Sequence, residues 1–423
     1  MAATSRVLVV DDSAFMRTIL CDLIGSDPRF AIAGTANDGR DAIEAVRRLK
    51  PDIVTMDLEM PVMNGLEAVE RIMRVHPVPI IMMSSVSDDG TRETIKALQN
   101  GAFDFIRKPA GPLSPDIRHV GEQLLEKLRI AAITRRHSKW YAPDKQSDET
   151  RVAAKQPGIS QPRPQDLPQS GEGTPAVIGR KPAPAAKAGP AGEEPEARCT
   201  LAEPASESAQ AQPADAAEPP EQARRKPRPT EAFRHLVAIG TSTGGPRALH
   251  EVISALPEDF PAPVLVVQHM PPKFTRSLAL RLDAFSALHV REAAQGERIC
   301  AGVVYIAPGG HHLTVEKDGG GYHVLLTDDA PRGGHRPSVD ALFESCARLT
   351  ELKRHAVLMT GMGTDGAKGM QRLNESGACT AIAESEETCV VYGMPRAAVD
   401  TGAAKDVFPL KQIAQALVRA VRR

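Results

Sequence analysis

The sequence predicts an α/β protein built from two doubly wound domains that are joined by a linker. In the first third of the chain, short apolar runs alternate with segments of helical periodicity, and the same alternation returns in the last half. Between them lies a proline-rich stretch without aromatic residues. We therefore predict domains at 1–135 and 232–423, with a linker at 136–231.

The composition limits the environment and the partners. The chain has 423 residues and a formal net charge of −1, which gives no electrostatic reason to expect a nucleic acid as partner. The start of the chain lacks a secretory apolar segment and no later apolar run approaches a membrane span, so we expect a cytoplasmic protein without membrane insertion. The six cysteines lack CxxC spacing, which argues against a disulfide framework or a zinc ribbon.

The N-terminal segment repeats a strand followed by a helix five times. Each apolar run is followed by a segment in which apolar residues recur with the helical period. Such units predict a parallel five-stranded sheet of flavodoxin-like order 2-1-3-4-5. The strands are predicted at 7–10, 30–35, 53–56, 80–83 and 103–106.

Polar residues follow four of these five strands. Asp11 and Asp12 come after the first strand and Asp57 after the third, so the fold brings three carboxylates to one edge of the sheet. Clustered carboxylates of this kind predict a bound Mg²⁺, which can also hold a phosphoryl oxygen. Ser84 and Lys108 would add a hydroxyl and a positive charge. Singly, such acids are common helix caps and such a lysine is common solvated surface, but five together indicate a phosphate site.

The stretches VVDDS, MDLEMPVMNG and FIRKP resemble the response-regulator receiver family. Phe105 lies where that family often has a switching aromatic residue. The resemblance implies a role for each polar residue: phosphoacceptor Asp57, Mg²⁺ ligands Asp11, Asp12 and Asp57, switch hydroxyl Ser84, and phosphate contact Lys108.

The linker has a distinct composition. Residues 142–230 contain no Phe, Trp or Tyr and hold sixteen of the chain's 35 prolines. A segment of this kind buries too little apolar area to offset its ordering entropy, so we predict that it is disordered. The basic run at 224–228 could contact an acidic partner, but we favour the prediction that it is a solvated segment.

The C-terminal domain opens with a buried strand at 236–239 that runs into the glycine turn GTSTGG. Ser242 follows the strand directly, and Pro246 marks the first turn of a helix. A serine placed there is close to free backbone N–H groups, which can stabilise a developing negative charge. The alternatives are a phosphate-binding turn of a nucleotide domain and a plain strand-to-helix turn.

Two further polar residues follow apolar strands in this domain. His269 comes after the strand at 264–267, and Asp365 lies past the strand at 356–359. Short strands or hairpins are predicted at 303–306, 313–316 and 322–326. A structural histidine and a turn aspartate are the ordinary explanations for each residue alone. Three residues at one sheet edge, however, predict a nucleophile, a general base and the carboxylate that orients the base.

Three other kinds of site fit less well. The pattern G-x-S-x-G matches the α/β-hydrolases, but those enzymes run in the order Ser, acid, His, whereas this chain runs Ser, His, Asp. The turn lacks the G-x-G start of a dinucleotide site. His311, His312 and His335 show no HExxH pattern, so no metal is predicted in this domain.

The stretches AIGTSTGG, VVQHMPPKFT, YIAPGGHH, HRPSVDALF and LMTGMGTDGAKGM are similar to the chemotaxis response-regulator protein-glutamate methylesterases and glutamine deamidases. The resemblance implies a triad of Ser242, His269 and Asp365, an oxyanion hole that includes the Met362 N–H, and no cofactor for ester hydrolysis. The implied substrates are γ-methyl glutamyl esters and certain glutamines on methyl-accepting chemoreceptors. The implied phosphodonor is a chemotaxis histidine kinase.

A second class of function stays open on the sequence alone. The chain could be a non-catalytic, phosphorylation-dependent binding module whose esterase-like half has lost turnover. The intact Ser, His and Asp set argues against it, because a degenerate site need not keep all three. The linker is also longer than is usual in the family, which bears on regulation rather than on the chemistry.

Overall fold

The computed structural model describes residues 4–85, 87–108, 117–137, 226 and 229–423. Most of the predicted linker at 136–231, including its predicted disorder, lies outside the described residues. The domain boundaries at 135 and 231 therefore stay predictions.

The N-terminal domain is a five-stranded parallel sheet in the order β2-β1-β3-β4-β5, as the sequence predicts. Apolar residues that line the strands are buried on both faces, which is the pattern of a sheet covered by helices on both sides. In chain order the elements are β1 (Ser5–Val10), α1 (Ala14–Gly25), β2 (Phe30–Ala36), α2 (Gly39–Leu49), β3 (Ile53–Asp57), α3 (Gly65–Val75), β4 (Ile80–Ser84), α4 (Asp88–Gln99), β5 (Asp104–Arg107) and α5 (Ile117–His137).

The C-terminal domain is a seven-stranded parallel sheet, with one separate antiparallel hairpin. Its elements are β6 (His235–Thr241), α6 (Gly245–Ser254), β7 (Val264–Gln268), α7 (Phe274–Asp283), β8 (His289–Glu292), β9 (Val303–Ile306), β10 (His312–Asp318), β11 (Gly321–Thr327), α8 (Val339–Ala347), β12 (Lys353–Leu358), α9 (Ala367–Glu375), β13 (Thr380–Glu384), α10 (Met394–Asp400), β14 (Asp406–Phe408) and α11 (Leu410–Val421). The sheet order is β14-β13-β12-β6-β7-β9-β8, and β10 pairs with β11. Among the described residues, no helix has both the length and the apolar character needed to cross a membrane.

The doubly wound fold class is confirmed for both domains, and the hairpin lies where two of the three short strands are predicted. The third short strand, β9, instead joins the main sheet beside β7. All four of its residues are fully buried, whereas β10 and β11 leave residues half-exposed or exposed. Burial on both faces is what a place inside a covered parallel sheet requires.

Strand β6 lies at the centre of this arrangement, between β12 and β7. Gly240 pairs with Leu358 of β12, and Thr241 pairs with Gln268 of β7. Because all three strands are parallel, their carboxyl ends meet at one edge. The loops that carry Ser242, His269 and Asp365 leave the sheet from that edge.

The two domains pack against each other through α4 and β5 on one side and α7 on the other. Phe105 stacks on Phe274, with ring centroids 4.5 Å apart and an interplanar angle of 29°. The hydroxyls of Thr91 and Ser277 lie 2.8 Å apart, within a buried hydrogen bond. The buried apolar cluster runs without a break from one domain into the other.

Candidate active site

Hydrogen bonds with residues at the ends of β12 and β7 and at the start of α6 fix the backbone of Ser242. Its N–H donates to the Thr360 carbonyl at 3.0 Å, and its own carbonyl accepts from the Gly245 N–H at 2.8 Å. The side-chain amide of Gln268 also donates to this carbonyl, at 3.0 Å. Gly244 has φ of +80°, a left-handed conformation that glycine adopts without strain. The sharp turn therefore holds Ser242, which is half-buried, at the edge of the sheet.

A second glycine brings the loop after β12 against the serine. A Cβ atom on Gly361 would lie 2.8 Å from the Cβ of Ser242, so a larger residue would push this loop away. Met362 follows directly, and its N–H makes no hydrogen bond within the described part of the chain. A backbone donor without a partner, one residue from the Ser242 contact, suits the oxyanion role predicted for Met362. That role stays a prediction.

His269 and Asp365 are in direct contact. The His269 Nε2 lies 2.8 Å from Asp365 Oδ2, and both side chains are almost completely buried. The carboxylate also accepts hydrogen bonds from the Ser338 hydroxyl at 2.8 Å and from the backbone N–H groups of Val339 at 2.7 Å and Asp340 at 3.0 Å. Burial alone would raise the pKa of Asp365, but His269 and these N–H donors outweigh it and lower that pKa to about 2. Asp365 is therefore a stable anion that can orient the imidazole.

The second ring nitrogen of His269 is free. Nδ1 is buried and has no hydrogen-bond partner among the described residues. The Ser242 hydroxyl is not hydrogen-bonded to it, so the structure joins two of the three predicted triad residues directly and brings the third to the neighbouring strand end. A nucleophile-to-base hydrogen bond is often long before substrate binds. The roles of all three residues stay predictions.

Two residues at the start of α8 contribute to the site, although no sequence pattern predicted a role for them. Ser338 is the N-cap of this helix, and its hydroxyl also donates to Asp365. Asp340 accepts from the N–H groups of Gly366 at 2.9 Å and Gly369 at 2.7 Å, and thereby holds the loop that carries Asp365. The Ser-x-Asp start of a helix is a recognisable cap signal. That signal does not show that Ser338 also contacts Asp365, which lies 27 residues further along the chain.

The predicted phosphorylation site is also assembled. Ligand oxygens of Asp11, Asp12 and Asp57 all lie within 4.8 Å of one another. The Lys108 ammonium is 2.5 Å from Asp57 Oδ2 and 3.1 Å from Asp11 Oδ2. Burial raises the pKa of Asp57 to about 6, although the Lys108 charge opposes this shift.

The acidic cluster fits a hard divalent cation. The Oδ2 atoms of Asp11 and Asp57 are buried and, within the described residues, have the Lys108 ammonium as their only polar contact. Three ionised carboxylates and one ammonium would leave a net charge of −2 at this end of the sheet. Oxygen ligands with an excess of negative charge are what Mg²⁺ requires. The residues present therefore fit a bound Mg²⁺.

Ser84 differs from the other predicted phosphate-site residues, because helix α4 engages its hydroxyl. Ser84 Oγ lies 2.5 Å from the Thr94 hydroxyl and 3.3 Å from the Gly90 carbonyl. Phe105 is buried against Phe274 of the C-terminal domain rather than exposed. The structure thus gathers the three acids and Lys108, while the Ser84 hydroxyl is directed to α4.

A contact between the domains reaches the residue next to Ser242. The Thr243 hydroxyl donates to Asp104 Oδ2 at 2.6 Å, and the Lys127 ammonium lies 2.6 Å from the same oxygen. Asp104 and Lys127 belong to the N-terminal domain. No sequence motif indicated this contact, because it depends on how two separately folded sheets pack.

Comparisons with known proteins agree with this architecture. Residues 237–417 match the CheB methylesterase family, and residues 7–114 match the response regulator receiver domain family. The protein-glutamate methylesterase/protein-glutamine glutaminase of Geobacillus kaustophilus (strain HTA426) is 43% identical over 424 residues, which cover 99% of each chain. The protein of the same name from Bacillus subtilis (strain 168) is 38% identical over 418 residues, again 99% of each chain. The crystal structure of the Thermotoga maritima CheB methylesterase catalytic domain is similar at 45% identity, covering 45% of this chain and 100% of that chain, with a TM-score of 0.44.

Both alignments run from end to end and cover 99% of each chain. The expectation that the linker is longer than is usual in the family stays a prediction. With both domains matched in order, and relatives aligned from end to end, the chain belongs to the protein-glutamate methylesterase/protein-glutamine glutaminase family, in which a response regulator receiver domain precedes a CheB methylesterase domain.

Proposed function

We propose that this chain hydrolyses γ-methyl glutamyl esters, and certain glutamine side-chain amides, on methyl-accepting chemoreceptors. Ser242 is the nucleophile, His269 the general base and Asp365 the residue that orients the base. The observation that carries the proposal is the 2.8 Å contact between His269 and Asp365, which leaves the buried Nδ1 of His269 without a partner. A histidine held at one nitrogen and free at the other, at the sheet edge that presents a serine, suits proton transfer to and from that serine.

In the first step, the Ser242 hydroxyl oxygen attacks the side-chain carbonyl carbon of the substrate. His269 Nδ1 accepts the hydroxyl proton as the new C–O bond forms, and the Asp365 anion stabilises the resulting imidazolium. The carbonyl oxygen becomes an oxyanion, to which the Met362 N–H donates a hydrogen bond.

In the second step, the tetrahedral intermediate collapses and its bond to the leaving group breaks. The His269 imidazolium returns its proton to that group, which departs as methanol from an ester or as ammonia from an amide. Water then attacks the acyl-serine with His269 again as base, which releases a glutamate side chain and regenerates Ser242. None of these steps requires a cofactor.

The receiver domain would control this reaction through phosphorylation of Asp57 by a chemotaxis histidine kinase. Asp11, Asp12 and Asp57 would hold Mg²⁺, which neutralises charge on a transferring phosphoryl group when bound. Lys108, already in contact with Asp57, would pair with a phosphoryl oxygen. Ser84 would exchange its Thr94 contact for the phosphoryl group. We place the reaction in the cytoplasm, with no nucleic acid among the partners.

Methanol release from methyl-labelled receptor membranes tests this function. Ser242→Ala should lower the rate by on the order of 10⁶, because the nucleophile and its partners act as a unit. Ser254→Ala is a matched control on α6, and its rate should stay within about twofold of wild type, as expected for a substitution away from the site. Activity of Ser242→Ala above about one-hundredth of wild type would exclude Ser242 as nucleophile. A wild-type protein that releases no methanol would favour the non-catalytic binding module.

A further inference from the structure

His335 lies directly over the imidazole of His269. The two ring centroids are 3.8 Å apart and the ring planes differ by 6°, so the rings stack face to face. His335 belongs to the loop between β11 and α8, and its sequence context predicts no metal site. Its position gives it a different use, because the one other contact found for the His269 ring among the described residues is at its edge, with Asp365.

The loop presents His335 rigidly. His335 N–H donates to the Arg332 carbonyl at 2.9 Å, and the Arg332 N–H donates back to the His335 carbonyl at 3.0 Å. Gly333 and Gly334 between them have φ of +58° and +85°, the pattern of a two-residue type I′ turn. The Arg332 guanidinium is anchored on Glu344 of α8 at 2.6 Å.

The base of the same loop is tied down by a buried histidine. His312 Nδ1 accepts from the Ser338 N–H at 3.1 Å, so this nitrogen carries no proton. His312 Nε2 lies 3.2 Å from the Ala330 carbonyl and therefore donates to it. His312 thus joins the two ends of the segment that carries His335. A loop held at its tip and at its base keeps the stacked ring in place.

We infer that His335 is a positioning residue that fixes the ring plane of His269 and keeps its Nδ1 aimed at the reacting serine. This inference rests on the proposed function, because it gives His269 the role of general base. Asp365 contacts one ring nitrogen and leaves rotation about that contact unopposed, whereas a stacked face blocks the rotation. A flat, uncharged ring would serve as well as histidine.

The charge of the stacked ring also matters. Two imidazolium rings 3.8 Å apart would repel each other strongly. Burial, with the His269 charge as a further cause, lowers the pKa of His335 to about 4, so His335 stays neutral when His269 takes a proton. The ring stacked on His269 therefore carries no charge of its own.

The test compares His335→Ala, which removes the stacked face, with His335→Phe, which keeps it and cannot titrate. In the full chain, His335→Ala should lower kcat for methanol release by about 10- to 100-fold, the scale of a reacting group misplaced by about 1 Å, with KM within about twofold. His335→Phe should recover kcat to within about threefold of wild type. His323→Ala, a histidine of the β10–β11 hairpin, serves as the control.

Two results would overturn the inference. If His335→Ala keeps full kcat, the stack does not position the base. If His335→Phe is as inactive as His335→Ala, His335 acts through its nitrogen atoms rather than through its face.

A second measurement separates this inference from the proposed function. The proton NMR spectrum of the full chain should show a downfield Nε2–H of His269 hydrogen-bonded to Asp365, identified by its loss in His269→Gln. We expect this signal to persist in His335→Phe and to broaden or vanish in His335→Ala. If wild type releases no methanol, the proposed function fails but the NMR comparison still decides the positioning role. An unchanged signal in His335→Ala would refute it.

Discussion

Asp57 and Asp365 both lie at the carboxyl edge of a parallel sheet, yet their environments oppose each other. Asp57 is the last residue of β3 and Asp365 lies in the loop after β12. Each is nearly inaccessible to solvent, with 2% and 8% of its surface exposed. The pKa of Asp57 is raised to about 6, whereas that of Asp365 is lowered to about 2. Burial acts in the same direction on both carboxyls, so the difference must come from their partners.

Protein groups already supply the hydrogen bonds that stabilise the Asp365 carboxylate. A hydroxyl, two backbone N–H groups and an imidazole reach its two oxygens. Asp57 accepts one long backbone hydrogen bond, from the Glu59 N–H at 3.3 Å, and contacts Lys108. The neighbouring Asp11 adds repulsion that further raises the Asp57 pKa.

The contrast distinguishes two kinds of site. The Asp365 site is preorganised, because every group that stabilises its charge is already in place. The Asp57 site holds more negative charge than its protein partners neutralise. A ligand that brings positive charge, or a modification that changes the charge, can therefore shift the state of the Asp57 site, whereas the Asp365 site needs no such ligand.

Among the changes that test this contrast, Asp365→Asn has the largest expected effect. An asparagine would favour the wrong His269 tautomer, so we expect methanol release to fall by about 10⁴. The fall should be the same in Mg²⁺ and in EDTA, because the preorganised site needs no ligand. Rates measured in both buffers, with wild type in parallel, check this. A loss below about tenfold would mean that Asp365 does not orient the base.

The three residues predicted to form a triad show what a sequence can predict about the placement of such residues. Ser242, His269 and Asp365 each follow a buried apolar run, and parallel strands place such positions at one edge. Asp11 and Asp57 were predicted for the same reason. In all five cases the prediction needs only strand order and chain direction.

Other contacts depend on packing between distant segments, and local patterns do not encode them. His335 reaches His269 from a glycine turn whose direction is set by Glu344 and by the buried His312. The contact between Asp104 and Thr243 requires two separately folded sheets to meet. These contacts become apparent only in the tertiary structure.

The next test compares stability, where the two carboxylates should give opposite signs. Without Mg²⁺, the raised Asp57 pKa means that the folded state holds a proton that the unfolded state releases, so stability falls as pH rises from about 4 to about 6. Asp57→Asn should therefore stabilise the chain at pH 7, by up to about 3 kcal/mol. Asp365, with its lowered pKa, contributes stability that is present above pH 4 and lost as pH falls towards 2. Asp365→Asn should destabilise the chain at pH 7 by about 2 kcal/mol or more.

Calorimetry of the full chain in EDTA measures both variants against wild type. At pH 4 the stabilisation by Asp57→Asn should nearly disappear, because the wild-type carboxyl is then protonated. The same variant should also take up no label from acetyl phosphate and Mg²⁺, whereas wild type takes up one phosphoryl group. Changes of the same sign in the two variants would contradict the comparison, and labelling of Asp57→Asn would place the phosphorylation site elsewhere.

The smallest effect concerns Asp104, the carboxylate that joins the two regions. Its Oδ2 accepts from the Thr243 hydroxyl beside Ser242 and contacts the Lys127 ammonium, each at 2.6 Å. Hydrogen bonds to charged groups contribute about 1.5–3 kcal/mol, so Asp104→Asn should weaken domain packing and raise methanol release by the unphosphorylated chain several-fold. Glu126→Gln, on the exposed side of α5, removes the same charge without such contacts and should leave the rate unchanged. If the receiver domain restrains the esterase site, Asp104→Asn should also respond less to acetyl phosphate than wild type does. An unchanged basal rate with a full phosphorylation response would show that this contact does not hold the domains together.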